Sequence, residues 1–468
     1  MGDRTMTILP HSCHRKSPRV AVGLVLVMLA SSLAAPAPCR AQVARDAVNA
    51  GTFTRPRLLK RFDTNTDGRL NVAEKAALRR AFGGIDVPML PAPTLDYSRI
   101  RRPEHVDASY LAGADNTPEI NPLTNHGATL GRVLFYDRQL SRNLTIACVS
   151  CHLQRAAFTD PRQFSRGFQG KLTRRNSMSL VNLRFTNLNG LRPGFFWDER
   201  AATLEDQVLM PIQDPIEMGM KLQELIPRLE KLPYYPDLFE AAFGSKSITN
   251  SRVARALAQF LRSMVSLESR YDLAAASKDD DIELTRLEQQ GETLFVEGVG
   301  GIAEFACAMC HVPPTFNMPK AQNIGLDLPG IRNIKKTGSK KDRKNVTGGK
   351  PLDRGLGELG RPSNDTFTKS NDGKFKAPSL RNVALTAPYM HDGRFKTLEQ
   401  VIAHYSGKVR PHPNLGLAFE DNSSDKRESG FQFTRVQQQA LVAFLKTLTD
   451  KSFVADAKFS DPFLRTRK

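Results

Sequence analysis

Four stretches of the chain carry apolar residues at the three- and four-residue intervals of an amphipathic helix. Leu130, Val133, Leu134 and Phe135 form the first stripe. Thr249 can cap a second helix whose Val253, Leu257, Phe260, Leu261, Met264 and Leu267 share a face. A third opens at Asp279, Asp280 and Asp281, where negative charge suits a helix start, and carries Leu284, Leu287, Gly291, Leu294 and Phe295. Thr434 caps the last, with Val436, Leu441, Phe444, Leu445 and Leu448. The stripes fall into two pairs, which predicts a mainly α-helical protein with two small helical domains, 123–272 and 273–468.

The segments around these pairs read differently. Residues 1–41 have a basic start (Arg15, Lys16, Arg19), an apolar core from Val20 to Leu29 and small residues up to Ala41. That core is too short to span a bilayer, so a cleaved export signal and a periplasmic product are expected. Residues 83–122 hold six prolines without periodicity and read as a linker or wrapping arm, with His105 solvated. The Gly- and Lys-rich stretch from Ile331 to Lys374 reads as a solvated loop, with partner docking as the alternative.

Composition changes the picture in two ways. The 468 residues carry a formal net charge of +19, of which residues 1–41 supply +4, leaving +15. This suits an acidic partner; no nucleic-acid motif accompanies it, and no other run approaches membrane-spanning length. Of six cysteines, Cys13 and Cys39 precede the expected mature start, so four remain, all within two copies of one motif.

That motif is CxxCH: Cys148-Val149-Ser150-Cys151-His152 and Cys307-Ala308-Met309-Cys310-His311. Two thiols three residues apart reach the two vinyl groups of one porphyrin, and the following His ligates its iron. A redox disulfide or one shared zinc site are the alternatives, but the pairs lie 159 residues apart and each carries the same His. Two covalent haem c groups are expected. Asp63 to Glu74 has the pattern of an EF-hand calcium loop within a module spanning 42–82. Asp63, Asn65, Asp67 and Asn71 supply side-chain oxygens, Arg69 a carbonyl, Gly68 the turn and Glu74 two carboxylate oxygens.

From about Asn121 to Asp450 the chain resembles the bacterial dihaem cytochrome c peroxidase and MauG family. The matching segments are Leu130 to Asp137, Cys148 to His152 with Ala157-Phe158-Thr159-Asp160, Phe195 to Arg200, Pro211 to Met218, and Phe375 to Gly393. The EF-hand lies outside this core, as an added module. The resemblance implies that His152 is the proximal ligand of the peroxidatic haem and His311 that of the electron-transfer haem. It implies that Trp197, the only tryptophan, relays electrons between them. It also assigns Gln207, Pro211 and Glu217 to the distal pocket, with Glu217 shuttling a proton. By the same resemblance Asn182, Thr386 and Pro388 hold a calcium between the domains.

Two departures qualify the resemblance. Peroxidase-branch members place a second His after the first CxxCH, yet from Leu153 to Met390 the chain has no His except His311, so the first haem is expected to stand open. Where those members have a Met ligand on the other haem, this chain has Tyr405, as MauG-type proteins do; His404 competes for the position, and Met390 and Met318 are weaker candidates. The expected function is therefore a dihaem peroxidase reducing hydrogen peroxide with electrons from a small cytochrome c or cupredoxin. A maturase oxidising a protein substrate is the alternative within the class. A non-catalytic dihaem carrier and a calcium-responsive binding module are alternatives outside it.

Overall fold

A computed structural model of the chain describes residues 53–463 except 188–189, 192–193, 278–281, 303–305, 319, 328–352, 362, 364–369, 417–418 and 420–429. The expected export signal, the Asp279–Asp281 helix start and most of the Lys-rich stretch lie outside the described residues. Thirteen α-helices appear among the described residues. They are α1 (Arg55–Phe62), α2 (Val72–Ala81), α3 (Ala108–Ala114), α4 (Asn125–Tyr136), α5 (Leu204–Gln213), α6 (Leu222–Glu230) and α7 (Tyr235–Phe243). There follow α8 (Asn250–Arg262), α9 (Arg270–Ala276), α10 (Arg286–Glu297), α11 (Leu398–Gly407), α12 (Arg435–Thr447) and α13 (Lys451–Ala455). Among the described residues, extended segments meet only in isolated bridges. The mainly α expectation therefore holds.

Each predicted stripe is a helix, with shifted ends. Thr249 caps α8, its hydroxyl accepting from the Arg252 N–H, but the helix stops at Arg262. Met264 and Leu267 are buried beyond it rather than on its face. The helix α10 starts at Arg286 behind a reciprocal cap between Thr285 and Glu288. Leu287 and Val436 are exposed despite fitting their stripes.

The two helix pairs are built alike. The α4 and α8 helices touch with no side chain between them, because a Cβ on Gly131 would lie 2.0 Å from the Ala256 carbonyl oxygen. In the second pair, α10 and α12, a Cβ on Gly291 would lie 2.0 Å from the Ala440 carbonyl oxygen. Four residues along each glycine-bearing helix, phenylalanines meet: Phe135 and Phe260 at 5.4 Å, Phe295 and Phe444 at 5.2 Å between ring centroids. A third ring joins each pair from beyond the CxxCH turn, Phe158 at 6.0 Å from Phe135 and Phe316 at 5.6 Å from Phe295. Asn182, in the left-handed region, donates its backbone N–H to Met264 just past α8. Asn382 repeats this with Leu448 just past α12. The segments that carry them, Ser179-Leu180-Val181-Asn182 and Ser379-Leu380-Arg381-Asn382, are therefore equivalent parts of one repeated unit.

Three further pieces wrap the repeat. At the N-terminus, α1 and α2 flank the Asp63–Glu74 loop, and Asn71 caps α2 in a reciprocal arrangement with Glu74. The arm over 83–122 includes α3 and is tied down: Arg55 and Leu90 share backbone hydrogen bonds with Leu90 and Phe53. His105 is not solvated as expected, its side chain being 18% exposed with Nε2 3.2 Å from Asp272 Oδ1 and the ring edge-on to Tyr271. Asp272 also pairs with buried Arg381, and Tyr110 of the arm shares a hydrogen bond of 2.9 Å with the Thr315 hydroxyl, which ties the arm to the second half. Finally, α13 and the segment after it return to the first half, where Phe453, Phe459 and Phe463 join its core. Arg132 donates to the Ser460 carbonyl at 2.7 Å.

The glycine contacts give a direct test. Gly131→Ala and Gly291→Ala each insert a methyl group where backbone from the facing helix already stands, and each should destabilise the protein by about 1–3 kcal/mol in denaturant unfolding. Gly113→Ala, where an added Cβ meets nothing within 4 Å, is the control and should be neutral or slightly stabilising.

Candidate haem-attachment and peroxide site

Each CxxCH motif folds as a short 3₁₀ turn. The N–H of His152 donates to the Cys148 carbonyl at 3.0 Å, and the N–H of His311 to the Cys307 carbonyl at 3.0 Å. The turns place both thiols and the imidazole of each motif on one small frame. Burial pushes the thiols up, Cys148 and Cys307 to about 12, Cys151 and Cys310 to about 11, so all four are protonated near neutral pH. Burial also lowers His152 and takes His311 down to about 4, which leaves both rings neutral and able to ligate a metal.

The rings are oriented by their Nδ1 atoms. That of His152 faces the Phe158 carbonyl at 2.9 Å and Ser177 Oγ at 3.2 Å. That of His311 faces two carbonyls, Phe316 at 3.2 Å and Pro378 at 3.1 Å. A carbonyl partner fixes the proton on Nδ1 and turns Nε2 outward as the ligand atom. Two thiols and one Nε2 per turn are the donor set that haem c requires, so the residues fit the group. The second turn opens on an apolar cavity of about 190 Å3, lined by Cys307, Cys310, His311, Trp197, Met390 and Tyr405.

Tyr405 and His404 point differently on α11. His404 is buried with Nε2 2.8 Å from the Ile324 carbonyl, whereas Tyr405 faces the cavity and stacks on Phe419 at 5.7 Å. Burial pushes the Tyr405 phenol well above its usual value. Met390 lines the same cavity in a left-handed backbone conformation.

Around the first turn, Glu217 lies near enough to Cys148 and Cys151 for its charge to raise both thiols. Its own carboxyl is pushed up to about 7, by burial first and by Asp214 second, with Arg200 opposing. The loop that presents it is held by Asp214 Oδ1, which accepts from the Ile216 and Glu217 N–H groups. Gln207 and Pro211 sit half-buried on α5. Pro211 lacks an N–H, so the Gln207 carbonyl loses its helical partner four residues on.

Trp197 is connected to both halves. Its indole N–H donates to the Asn176 carbonyl at 2.9 Å, and the next residue, Ser177, contacts His152. Its own carbonyl accepts from the Lys376 N–H at 2.8 Å, two residues before Pro378, which contacts His311. Sequence reasoning missed Ser177, Lys376 and Pro378. The Ser-Leu-x-Asn segments, spaced 200 residues apart, were the available signal. Lys376 is buried, its ammonium donating to the Gly194 carbonyl at 2.8 Å, and burial lowers it to about 8.

The other expected metal sites are only partly assembled from side chains. Asn182 uses its amide on Ser266, donating to its carbonyl and accepting from its N–H at 2.9 Å each, and its backbone carbonyl accepts from the Phe185 N–H at 3.0 Å, so only that oxygen's second lone pair is left to offer a cation. Thr386 and Pro388 line the second cavity, and the Thr386 hydroxyl donates to the Val383 carbonyl. In the Asp63–Glu74 loop, Gly68 has φ +77° and Asp63 Oδ1 is buried without a hydrogen-bond partner. The buried Glu74 carboxylate turns into the loop, accepting from the N–H groups of Thr64 and Asn71 and from the Thr64 hydroxyl. Among the described residues, no three His, Cys, Asp or Glu side chains converge as a ready metal cluster, so amide and carbonyl oxygens would have to complete any calcium site.

A sequence model described as di-haem cytochrome c peroxidase matches residues 125–280. The methylamine utilization protein MauG of Methylorubrum extorquens is 33% identical over 354 residues, 75% of this chain and 83% of that protein. The cytochrome c551 peroxidase of Nitrosomonas europaea is 29% identical, over 70% of this chain and 82% of that one. Among solved structures, a MauG-like protein associated with microbial copper homeostasis superposes with a TM-score of 0.59 at 33% identity, over 78% of this chain and 99% of that one. The dihaem peroxidase BthA of Burkholderia thailandensis shares the fold, with a TM-score of 0.55 at 23% identity.

The raised Glu217 carboxyl has a signed effect on stability. The folded protein holds this proton more tightly than the unfolded chain, so the contribution of Glu217 falls as pH rises from its ordinary value near 4.5 to about 7. Glu217→Gln removes that loss. Denaturant unfolding should show the variant gaining on the unmutated protein between pH ~5 and pH ~8.

Proposed function

Because the chain belongs to the di-haem cytochrome c peroxidase and MauG family, we propose that it reduces hydrogen peroxide at its first CxxCH site with electrons drawn through the second from an external protein donor. The observation that carries this reading is Glu217: a carboxyl poised at about 7 beside the first CxxCH, in a stretch of chain with no spare histidine to block an iron. Cys148, Cys151 and His152 would hold a haem c, which would supply the redox iron for peroxide reduction.

The chain's own residues do the rest. Glu217 takes a proton from the near peroxide oxygen and returns it to the far one, a task suited to a group with pKa near the working pH. Gln207 orients peroxide or water beside it, and Pro211 shapes the helix that carries Gln207. Trp197 relays electrons between the sites; its N–H faces a carbonyl, which is too weak a base to take the proton, so the indole passes electrons without proton loss. Tyr405, which lines the cavity with His311, would hold the second haem's iron, and a phenol oxygen there would lower its potential relative to a thioether. A calcium in the Asp63–Glu74 loop would satisfy Asp63 Oδ1 and clip α1 to α2, and a second, held by Asn182, Thr386 and Pro388 partly through backbone carbonyls, would fix the geometry between the haems. The donor is a small cytochrome c or cupredoxin with an acidic face, met in the periplasm, since the mature chain is basic. No helix of the described residues is long and apolar enough to cross a membrane.

Tyr405 favours one second reading, a MauG-like maturase that spends the oxidising equivalents on side chains of a protein substrate. Steady-state turnover with a reduced cytochrome separates the two, because a maturase performs it poorly.

Three outcomes are expected. The as-isolated ferric protein shows one high-spin and one low-spin haem in absorption and EPR spectra, and one equivalent of peroxide changes both without prior reduction; two low-spin haems inert until half-reduced would sink the open-site reading. Glu217→Gln slows the reaction with peroxide by about 10²–10⁴-fold, measured by stopped flow, with haem content unchanged. Calcium raises the melting temperature of the unmutated protein, and Glu74→Ala removes the part of that rise due to the N-terminal loop.

A further inference from the structure

We propose that Tyr234, Tyr235 and Asp137 form a proton-coupled redox site that supplies electrons to the first haem when no donor protein is bound. The inference rests on the peroxidase reading above. Both phenols donate to the same carboxylate oxygen, Asp137 Oδ2, at 2.7 Å from Tyr234 and 2.8 Å from Tyr235. Their rings are tilted against each other with centroids 4.7 Å apart, and both side chains are fully buried.

Chemistry gives this arrangement a use beyond packing. A phenol that loses an electron becomes a strong acid, so its oxidation is easy only where a base already holds the hydrogen bond. Asp137 is that base, and the proton crosses an existing hydrogen bond without heavy-atom motion. Burial and the Asp137 charge hold the Tyr235 phenol well above its usual pKa, so the electron leaves a protonated phenol and the proton must move with it. The site lies on the first haem's side of the molecule. Asp137 closes α4, which packs on the Cys148 turn, and Cys148 lies close to Tyr235. On the far side Tyr234 meets Phe53 and Phe463 at 5.9 and 6.1 Å.

The repeated fold supplies an internal comparison. Gly131 corresponds to Gly291, so Asp137 corresponds to Glu297, which is exposed, and Tyr136 to Val296, which is 43% exposed. Among the described residues, the second half closes the same helix without a buried carboxylate or a tyrosine pair. The fold itself therefore does not demand the triad, and it accompanies only the half that carries Glu217.

The electron balance is simple. Hydrogen peroxide takes two electrons and two protons to give two waters. One tyrosine supplies one electron, to the first haem site oxidised by peroxide, and one proton, to Asp137 Oδ2, leaving a neutral tyrosyl radical. The second of the two electrons is left to the haem irons, and an external donor's electron together with the proton held on Asp137 Oδ2 restores the tyrosine.

The test uses the haem-loaded protein, mixed with one equivalent of hydrogen peroxide without donor and freeze-quenched for EPR. A tyrosyl signal is expected that narrows in protein grown on ring-deuterated tyrosine, is lost in the double variant Tyr234→Phe/Tyr235→Phe, and falls several-fold in Asp137→Asn, which keeps an acceptor but not a base. In the double variant the peroxide-oxidised haem spectrum should persist several-fold longer. A haem spectrum that responds to peroxide with no deuterium-sensitive radical, or with a radical that survives the double variant, overturns this inference and leaves the peroxidase reading standing. A haem spectrum that ignores peroxide overturns both. The deuterium readout needs no mutation, so a variant that misfolds does not shield the proposal.

Discussion

Two helices meeting backbone to side-chain-free backbone set the frame of each half. Where Gly131 meets Ala256 and Gly291 meets Ala440, no Cβ separates the chains, and that approach fixes the distance from helix to helix. The phenylalanine trios, the CxxCH turns and the Asn182 and Asn382 anchors all take their places from it. A frame used twice makes the differences between the halves informative. The first carries Glu217, the Ser177 hydroxyl at its histidine and the Tyr234–Tyr235–Asp137 triad. The second carries a two-carbonyl grip on His311 and a tyrosine facing its cavity.

Trp197 shows how backbone and side chain can join two sites at once. Its indole N–H ends one hydrogen bond beside the loop that holds His152, and its carbonyl ends another beside the loop that holds His311. The two histidine loops are therefore bonded to one and the same residue. The neighbouring charges reinforce the junction: Arg175 pairs with Asp198 at 2.6 Å and with Asp353 at 2.7 Å, binding the first half's loop to the segment that leads into Lys376.

Much of this was legible in the sequence because it is local. CxxCH spacing, capping threonines and helical stripes all act over fewer than about ten residues, and the helices appear where the stripes stand. What escaped was long-range. His105 sits in a proline-rich arm that looks solvated, and only the fold brings it to Asp272. Val436 fits its stripe yet faces solvent, because nothing in the described structure packs on that first turn. Asp137 lies nearly one hundred residues from the Tyr234–Tyr235 pair, so no window of sequence could join them. Glu217 became a candidate only through resemblance, since burial, which raises its carboxyl, leaves no trace in a sequence pattern.

The return of the C-terminal segment onto the first half bears on how the chain is made. Phe453, Phe459 and Phe463 complete the core around Phe135 and Phe158, and Arg132 and Tyr136 bond to carbonyls at Ser460 and Phe459. Synthesis runs from the N-terminus, so the first CxxCH turn emerges about three hundred residues before the pieces that seal its core. During that interval the core behind its cysteines lacks these three phenylalanines. The segment from Phe453 to Phe463 thus acts as a latch, and the core of the first half is complete only once that segment has been made.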